Sequence, residues 1–547
     1  MRGVMWRSPA WLVLLAAAWL TAGCGDGRSS VQRAADQGIL VLGNNQEPMS
    51  LDPHKATAVA DGKIIACLLE GLVRPDAAVD GAVHPGMAER WEHNEAADEW
   101  VFHLREAQWS DGHPVRAEDF VYAYHRLLHP QFGGKYAEML YPLKNAAAFN
   151  RGELPWEAVG VQARDARTLV LRLESPMPQL PQLLLHYTWS PVPAHAVESL
   201  GGMLDRRSLW TKLPHQVGNG AYVLESHRFN EALTVRANPR YWRAGELRNR
   251  GVRFLPIVNG YTETRMFWDG KLHITNNVPP ELLAAARRRA PQAYCQDAYY
   301  CSIFYRLNTR RPPLDDVRVR RALSLAIDRR ELVERVVRGA GSPSFAFTPP
   351  GAGYAGVVLP EAAQTQEQRA AEARRLLAEA GYPGGKGFPS PEIMTTSRDV
   401  QRLMAETIQS MWQQVLGVHA EIRACEWTAY KAAQQSGDYD ISSSSWSGDF
   451  LDPATFVELW RSSGGNNCTG WGSTECDAAL AEAAAAADAG VRRAALQRAE
   501  ELMLRAQPII PLYGSERTYL KDPAVQGWFP LLLDNHPLDA VQVGGRG

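Results

Sequence analysis

An α/β fold divided into more than one lobe is what this sequence predicts, on three observations. A chain of 547 residues is longer than one hydrophobic core supports, and its 45% hydrophobic content is ample to bury several. The first third alternates short apolar runs with turn residues, as strands do. From about Asp315 long stretches with helical spacing take over, separated by short strands. The 58 basic and 60 acidic residues nearly cancel and form no long run of either sign, which argues against a nucleic-acid partner.

In chain order, Arg2 and Arg7 precede the apolar run Trp11 to Leu20, which is shorter than the ~20 residues a spanning helix needs. Residues 1–23 therefore form an expected signal peptide. Ala22-Gly23-Cys24 looks like a bacterial lipobox, in which Cys24 is diacylated and becomes the mature N-terminus, although Thr21 stands where such boxes usually carry Leu. Residues 24–30 then make a flexible tether, and the acyl chains hold the protein at a membrane without spanning it.

Ile39 to Leu42 is an expected strand that runs into the polar, turn-rich stretch Asn44 to Lys55. Trp100 to Leu104 follows as a strand, Asp111-Gly112 as a hairpin-type turn, and Phe120, Tyr124, Leu127 and Leu128 as one apolar helix face. Val161, Leu169, Leu171, Leu173, Val223, Leu233 and Val235 mark further strands. Helices are expected over Val317 to Val336, Gln368 to Ala380, Asp399 to Leu416 and Asp477 to Ala506, with strands at Val418 to Ile422 and Ile509 to Tyr513. Gly381 and Gly417 stand at C-cap positions, and Pro508 ends the last helix.

The stretch most suggestive of chemistry is Asp438 to Phe456. A short strand around Tyr439 and Ile441 leads into a polar loop that presents Ser445, Trp446 and Asp449 before a stop at Asp452-Pro453. A half-buried Asp449 beside an indole can hold a ligand's ammonium group by a charge-assisted hydrogen bond, with the Trp446 face lining the adjoining pocket. Catalytic signatures are missing. There is no Gly-x-Ser-x-Gly elbow and no His-Glu-x-x-His, and Pro383-Gly384-Gly385-Lys386-Gly387 lacks P-loop spacing. Six cysteines besides Cys24 allow 15 disulfide pairings, none with the CxxC spacing of a zinc site. Cys468 with Cys476 could close a small loop, Cys295 and Cys301 bracket Tyr299-Tyr300, and Cys67 reads as a buried free thiol. No metal, cofactor or enzymatic activity is expected.

A series of motifs, in order along the chain, carries a family resemblance. Ser50-Leu51-Asp52-Pro53-His54-Lys55, Glu70-Gly71-Leu72, Trp109-Ser110-Asp111-Gly112 and Asp119-Phe120-Val121-Tyr122 open it. Ser190-Pro191-Val192-Pro193, Asn219-Gly220-Ala221-Tyr222, Asn238-Pro239-Arg240-Tyr241-Trp242, Asp316 to Arg320, Leu376 to Tyr382 and Trp446 to Phe456 continue it. Together they resemble the extracellular solute-binding proteins of the peptide and nickel family, and within it the oligopeptide-binding branch that serves ABC importers. The resemblance implies a two-lobed periplasmic-binding-protein fold (class II, Venus-flytrap) with an extra third domain. Lobe I would comprise 31–57, 182–300 and 516–547, the extra domain 58–181, and lobe II 301–515, so that the chain crosses between lobes near Cys301 and Ser515. It also implies a monomer that hands its ligand to a membrane permease driven by a separate ATPase.

By the same resemblance a peptide lies extended between the lobes and pairs its backbone with strands on both sides. Asp449 matches the aspartate that receives the amino terminus, with Ser445 and Trp446 supplying strand pairing and a pocket wall. Tyr122, Val59, Trp427, Asn276 and Tyr299 fall on other positions that approach the ligand. The carboxyl end departs from the pattern: two arginines and a histidine of the family align with Gln434, Ser443 and Gln401. A buried carboxylate without a positive partner is costly, so ligand length or class is expected to differ, a cell-wall peptide, a dipeptide or another small solute being the alternatives. A lipoprotein hydrolase is a more distant alternative. Position 447 is Ser where some relatives carry a cysteine bonded to the position of Cys301.

Overall fold

The computed structural model describes residues 28–486 and 488–544. The expected signal peptide and the lipobox Cys24 lie outside the described residues. Three main sheets organise the rest. The first has the strand order Ile39–Gly43, Gly251–Leu255, Ala232–Ala237, Tyr222–Arg228, its first pair parallel. The second is an antiparallel sheet of Ala88–His93, Glu99–Leu104, Thr168–Arg172 and Val161–Asp165. The third, six-stranded, contains the long strands Tyr294–Leu307 and Ile509–Leu520 together with Gly341–Pro343, Ile441–Ser447, Glu392–Thr396 and Glu421–Cys425.

Two large cores separate the lobes. One continuous apolar cluster runs from Leu40 and Val252 of the first sheet through Ile64 and Trp109 to Phe102 and Leu171 of the second, so the third domain and lobe I share a core. Lobe II has its own, built from Leu307, Val319, Leu323, Met404, Ile408, Trp412 and Ile441. Met404, Ile408, Met411 and Trp412 form the buried stripe of the helix Asp399–Leu416, whose end is set by Gly417 in the left-handed region at φ 69°.

The turn-rich stretch after the first strand is held rigid by one buried ion pair. Arg126 donates from both terminal nitrogens to Asp52, at 2.9 and 2.7 Å, and also contacts His54 at 2.8 Å. Burial opposes ionisation of Asp52, but the guanidinium outweighs it and holds the carboxyl at about 2.

Two expected helices are each divided. Val317–Leu325 is followed by Arg329–Arg335 because Asp328 leaves helical geometry to cap the second, accepting from the Arg330 and Glu331 amides at 3.0 and 3.1 Å. Thr474–Ala485 and Ala489–Ala506 are likewise separate, with Asp488 capping the latter. The strand expected at Val418 to Ile422 lies at Glu421–Cys425. The strand Ile441–Ser447 is longer than expected, so Ser445 and Trp446 belong to it and not to a loop. Serine has little strand preference of its own; the ladder against Cys301–Leu307, from Cys301 opposite Ser447 to Leu307 opposite Ile441, holds those residues extended.

The two long strands join the lobes. Tyr294 to Ala298 pair with Leu520 to Glu516, and Ser302 to Arg306 pair with Gly514 to Ile509, but the register breaks across residues 299–301. A break in a ladder bends it locally, so this is where the paired crossing can flex. All six described cysteines are free thiols, Cys67 among them and buried. No helix of the described residues is long and apolar enough to cross a membrane.

Candidate functional site

A cleft of about 1280 Å³, counting its opening to solvent, lies where the lobes meet. The helix Val59–Leu68, the 75–82 loop, residues 182–187, the register break at Tyr299, the strand end at Ser447 to Asp449 and the C-terminal segment 531–535 enclose it. Asp449, Val59 and Tyr299 thus come together from three distant parts of the sequence.

Asp449 sits two residues beyond the strand end, its amide donating to Thr455 Oγ1 at 3.1 Å. Burial, aided by the negative charge of Glu138, pushes its carboxyl up to about 6. No cation among the described residues offsets that burial. A half-buried carboxylate in this state gains most from an incoming ammonium group, which brings the missing charge and hydrogen bonds. Tyr136 and Tyr187 stand near enough for the Asp449 charge to raise their phenols. His186, tilted against Tyr187 at a ring distance of 4.3 Å, is pushed by burial down to about 4 and is neutral at pH 7.

The strand leading to Asp449 offers an open edge. On one side it pairs along its whole length with Cys301–Leu307; on the other, Glu392–Thr396 covers only Ile441 and Ser442. Beyond that, Ser443 O accepts from the Tyr430 hydroxyl, and the backbone through Ser447 has no neighbouring strand among the described residues. Unpaired edges are templates for strand addition. Ser445 and Ser447 are exposed, while alternation turns Trp446 to the opposite face. There it packs with Tyr300, Phe304, Phe456 and Trp460, so its indole supports the strand from behind instead of lining the pocket.

The other expected site residues scatter. Tyr122 stands apart from the cleft, its hydroxyl donating to Glu198. Asn276 lines a neighbouring cavity of about 550 Å³ with Lys63, Arg517 and Asp534. Trp427 is 59% exposed at the start of the helix Trp427–Ser436 and stacks on Tyr430 at 5.8 Å.

At the far end of the open edge, Gln434 and Ser443 are committed internally. Gln434 Nε2 donates to Tyr430 Oη and Ser442 Oγ, both at 3.1 Å, and Ser443 Oγ donates to Thr395 at 3.1 Å. They are therefore not free donors for a ligand. Gln401 keeps one buried amide oxygen without a partner. A cation is present that sequence reasoning missed: Lys431 Nζ lies 3.3 Å from Gln434 Oε1 and 5.6 Å from the Trp427 ring centre. Burial and the positive charge of Arg306 hold Lys431 below its ordinary range. Arg306, itself buried, is satisfied by Ser444 Oγ and Asn466 O, with no acid contacting it among the described residues. Like charges without a counterion make this corner favourable to an anion.

Two lobes on a double-stranded hinge, with a cleft between them that carries unpaired charge and an open strand edge, define a ligand-capturing binding protein of the class II periplasmic type with a third domain. The family model for bacterial extracellular solute-binding proteins, family 5 Middle, matches residues 82–468, and the chain belongs to that family. It is 34% identical over 514 residues to the periplasmic oligopeptide-binding protein OppA of Salmonella typhimurium, covering 93% of this chain and 92% of the relative. It is also 34% identical over 511 residues to an Escherichia coli protein named "Probable deoxycholate-binding periplasmic protein YgiS", covering 93% of each. The solved structure of the Escherichia coli murein tripeptide binding protein MppA superposes with a TM-score of 0.80 at 32% identity, covering 93% of this chain and 99% of that one.

Proposed function

We propose that this protein is the peptide receptor of an ABC importer, capturing an extended oligopeptide between its lobes and delivering it to a permease. The observation that carries this reading is Asp449, a half-buried carboxylate without a counterion at the end of an open strand edge inside the interlobe cleft. The peptide's ammonium group rests on Asp449. Its backbone runs antiparallel to Ser447–Ser443, and its carboxylate reaches the Lys431 corner. At ~3.3 Å per residue that path accommodates roughly three to six residues. Main-chain pairing ignores side chains, so a broad sequence range follows.

Export, anchoring and domain division belong to the same proposal. Residues 1–23 direct export, Cys24 carries the lipid anchor, and residues 24–30 tether a monomer at the membrane. The lobes divide as 31–57, 182–300 and 516–547 against 301–515, with 58–181 as the third domain. The family's function is binding, and the energy for transport comes from a separate ATPase.

A narrower reading, a receptor for murein peptide, a dipeptide or another small solute, draws support from the similarity to MppA and YgiS and from the loss of the family's arginines and histidine at Gln434, Ser443 and Gln401. Mass spectrometry of small molecules released by denaturing the purified protein separates the two. A ladder of peptides with free amino termini is the expected result. A single species with a blocked or unusual carboxyl end would refute the oligopeptide reading.

A further inference from the structure

We infer that Asp111, His113 and His195 form a binding site for a divalent transition-metal ion, Zn²⁺ being the ion their chemistry fits first. It lies outside the ligand cleft, where the Asp-Gly turn meets the start of the short helix Ala194–Ser199. His195 Nε2 is 2.7 Å and His113 Nδ1 3.2 Å from the same carboxylate oxygen, Asp111 Oδ2, although His195 is 84 residues away in sequence. The three ligand atoms all lie within 4.8 Å of one another. A tetrahedral ion with bonds of ~2.0–2.1 Å holds its ligands ~3.3 Å apart, so adjustments of about an ångström convert this cluster into three corners of a tetrahedron. Two imidazoles and one carboxylate are ligands that zinc and its neighbours accept, and exposure of the cluster leaves the fourth corner to water.

The geometry is built, not incidental. Asp111 Oδ1 accepts the His113 amide at 3.2 Å, which turns Oδ2 toward the two rings. Gly112, at φ 98°, supplies the left-handed residue that brings His113 back beside Asp111. The two imidazoles stack with centres 4.1 Å apart, aligned on the shared oxygen. Beneath them one buried carboxylate ties both halves together: Asp119 accepts from the Trp109 indole at 3.2 Å, just before the turn, and faces the Ala194 amide, just before His195. Ser110 fixes the turn further through its amide, which donates to Gly218 O at 2.8 Å. Such supports hold metal ligands in place before the ion arrives. A bound ion would clasp the turn of the third domain to the segment that returns into lobe I.

The test is calorimetric titration of the untagged protein, stripped with EDTA, with ZnCl₂. A parallel titration with Co²⁺ is followed by visible absorption. One equivalent of Zn²⁺ and the d–d bands of a four-coordinate cobalt site are expected. His113→Ala and His195→Ala should each weaken Zn²⁺ binding by at least about 100-fold, while leaving the melting temperature of the metal-free protein unchanged. Zn²⁺ should raise the melting temperature of the unaltered protein but not of either variant. Absence of stoichiometric uptake, or uptake undiminished in both histidine variants, would overturn the assignment.

Discussion

Asp449 has a carboxyl group pushed up to about 6 in the free protein, and an ammonium ion beside it would pull that value down. The sign of the pH dependence comes directly from this. Ligand binding releases a proton wherever Asp449 is protonated in the free protein and ionised in the complex. Affinity should therefore be greatest near pH 7, fall by up to tenfold per unit below about 6 until the complex itself protonates, and fall again above about 8 as the free peptide's α-amine loses its proton. Titrations across pH 4.5 to 8 read this directly, and a flat profile would remove Asp449 from the site. At the other end, Lys431→Ala should cost about 1–3 kcal/mol with free-acid peptides and almost nothing with C-terminal amides, as compared by calorimetry. Asp449 could be singled out from sequence because a lone acid after a strand fits a known motif position. Lys431 could not, because on its helix it looks like any solvated lysine and Arg306, whose charge marks the corner, arrives from a distant strand only on folding. Tyr136 and Tyr187 were equally hidden, since neither lies in a motif and they reach Asp449 only through folding.

Among the elements, the strand Ile441–Ser447 positions most of the site, and its length is what sequence patterning misjudged. A run of four serines carries no strand signal; pairing with Cys301–Leu307 supplies it. The same extension reverses the role expected for Trp446, whose alternation places it in the aromatic cluster behind the strand. Cap residues explain the divided helices: Asp328 and Asp488 resemble ordinary helical acids in sequence, but each turns the chain and caps the next helix. Cys301 stands directly opposite Ser447, within reach of its side chain. Ser447→Cys should therefore form a disulfide under oxidising conditions, because paired antiparallel positions fall within the ~4.4–6.8 Å between Cα atoms that such a bond requires. Thiol titration should show no free thiol gained and one lost relative to the parent; two reactive thiols at these positions would contradict the register.

At the scale of the whole molecule, length and the change of texture near Asp315 were enough to foresee separate lobes. The core that fuses lobe I with the third domain was not foreseeable, because contacts such as those uniting Leu40, Trp109 and Leu171 join segments far apart in sequence. The lobes meet through paired strands whose register breaks at residues 299–301, beside the cleft that holds Asp449 and Tyr299. A ligand that bridges both lobes favours closure by the difference in its affinity for the closed and open forms. The central claim is that such a ligand is a peptide held by its amino terminus on Asp449. Its most direct test is a calorimetric comparison of a short peptide with its N-acetylated form, each titrated into the unaltered protein and into Asp449→Ala. Either change alone is expected to weaken binding by about 2–5 kcal/mol, and the two together should cost little more than one. Equal affinity for both peptides, or an Asp449→Ala variant that binds the free amine unchanged, would contradict the claim.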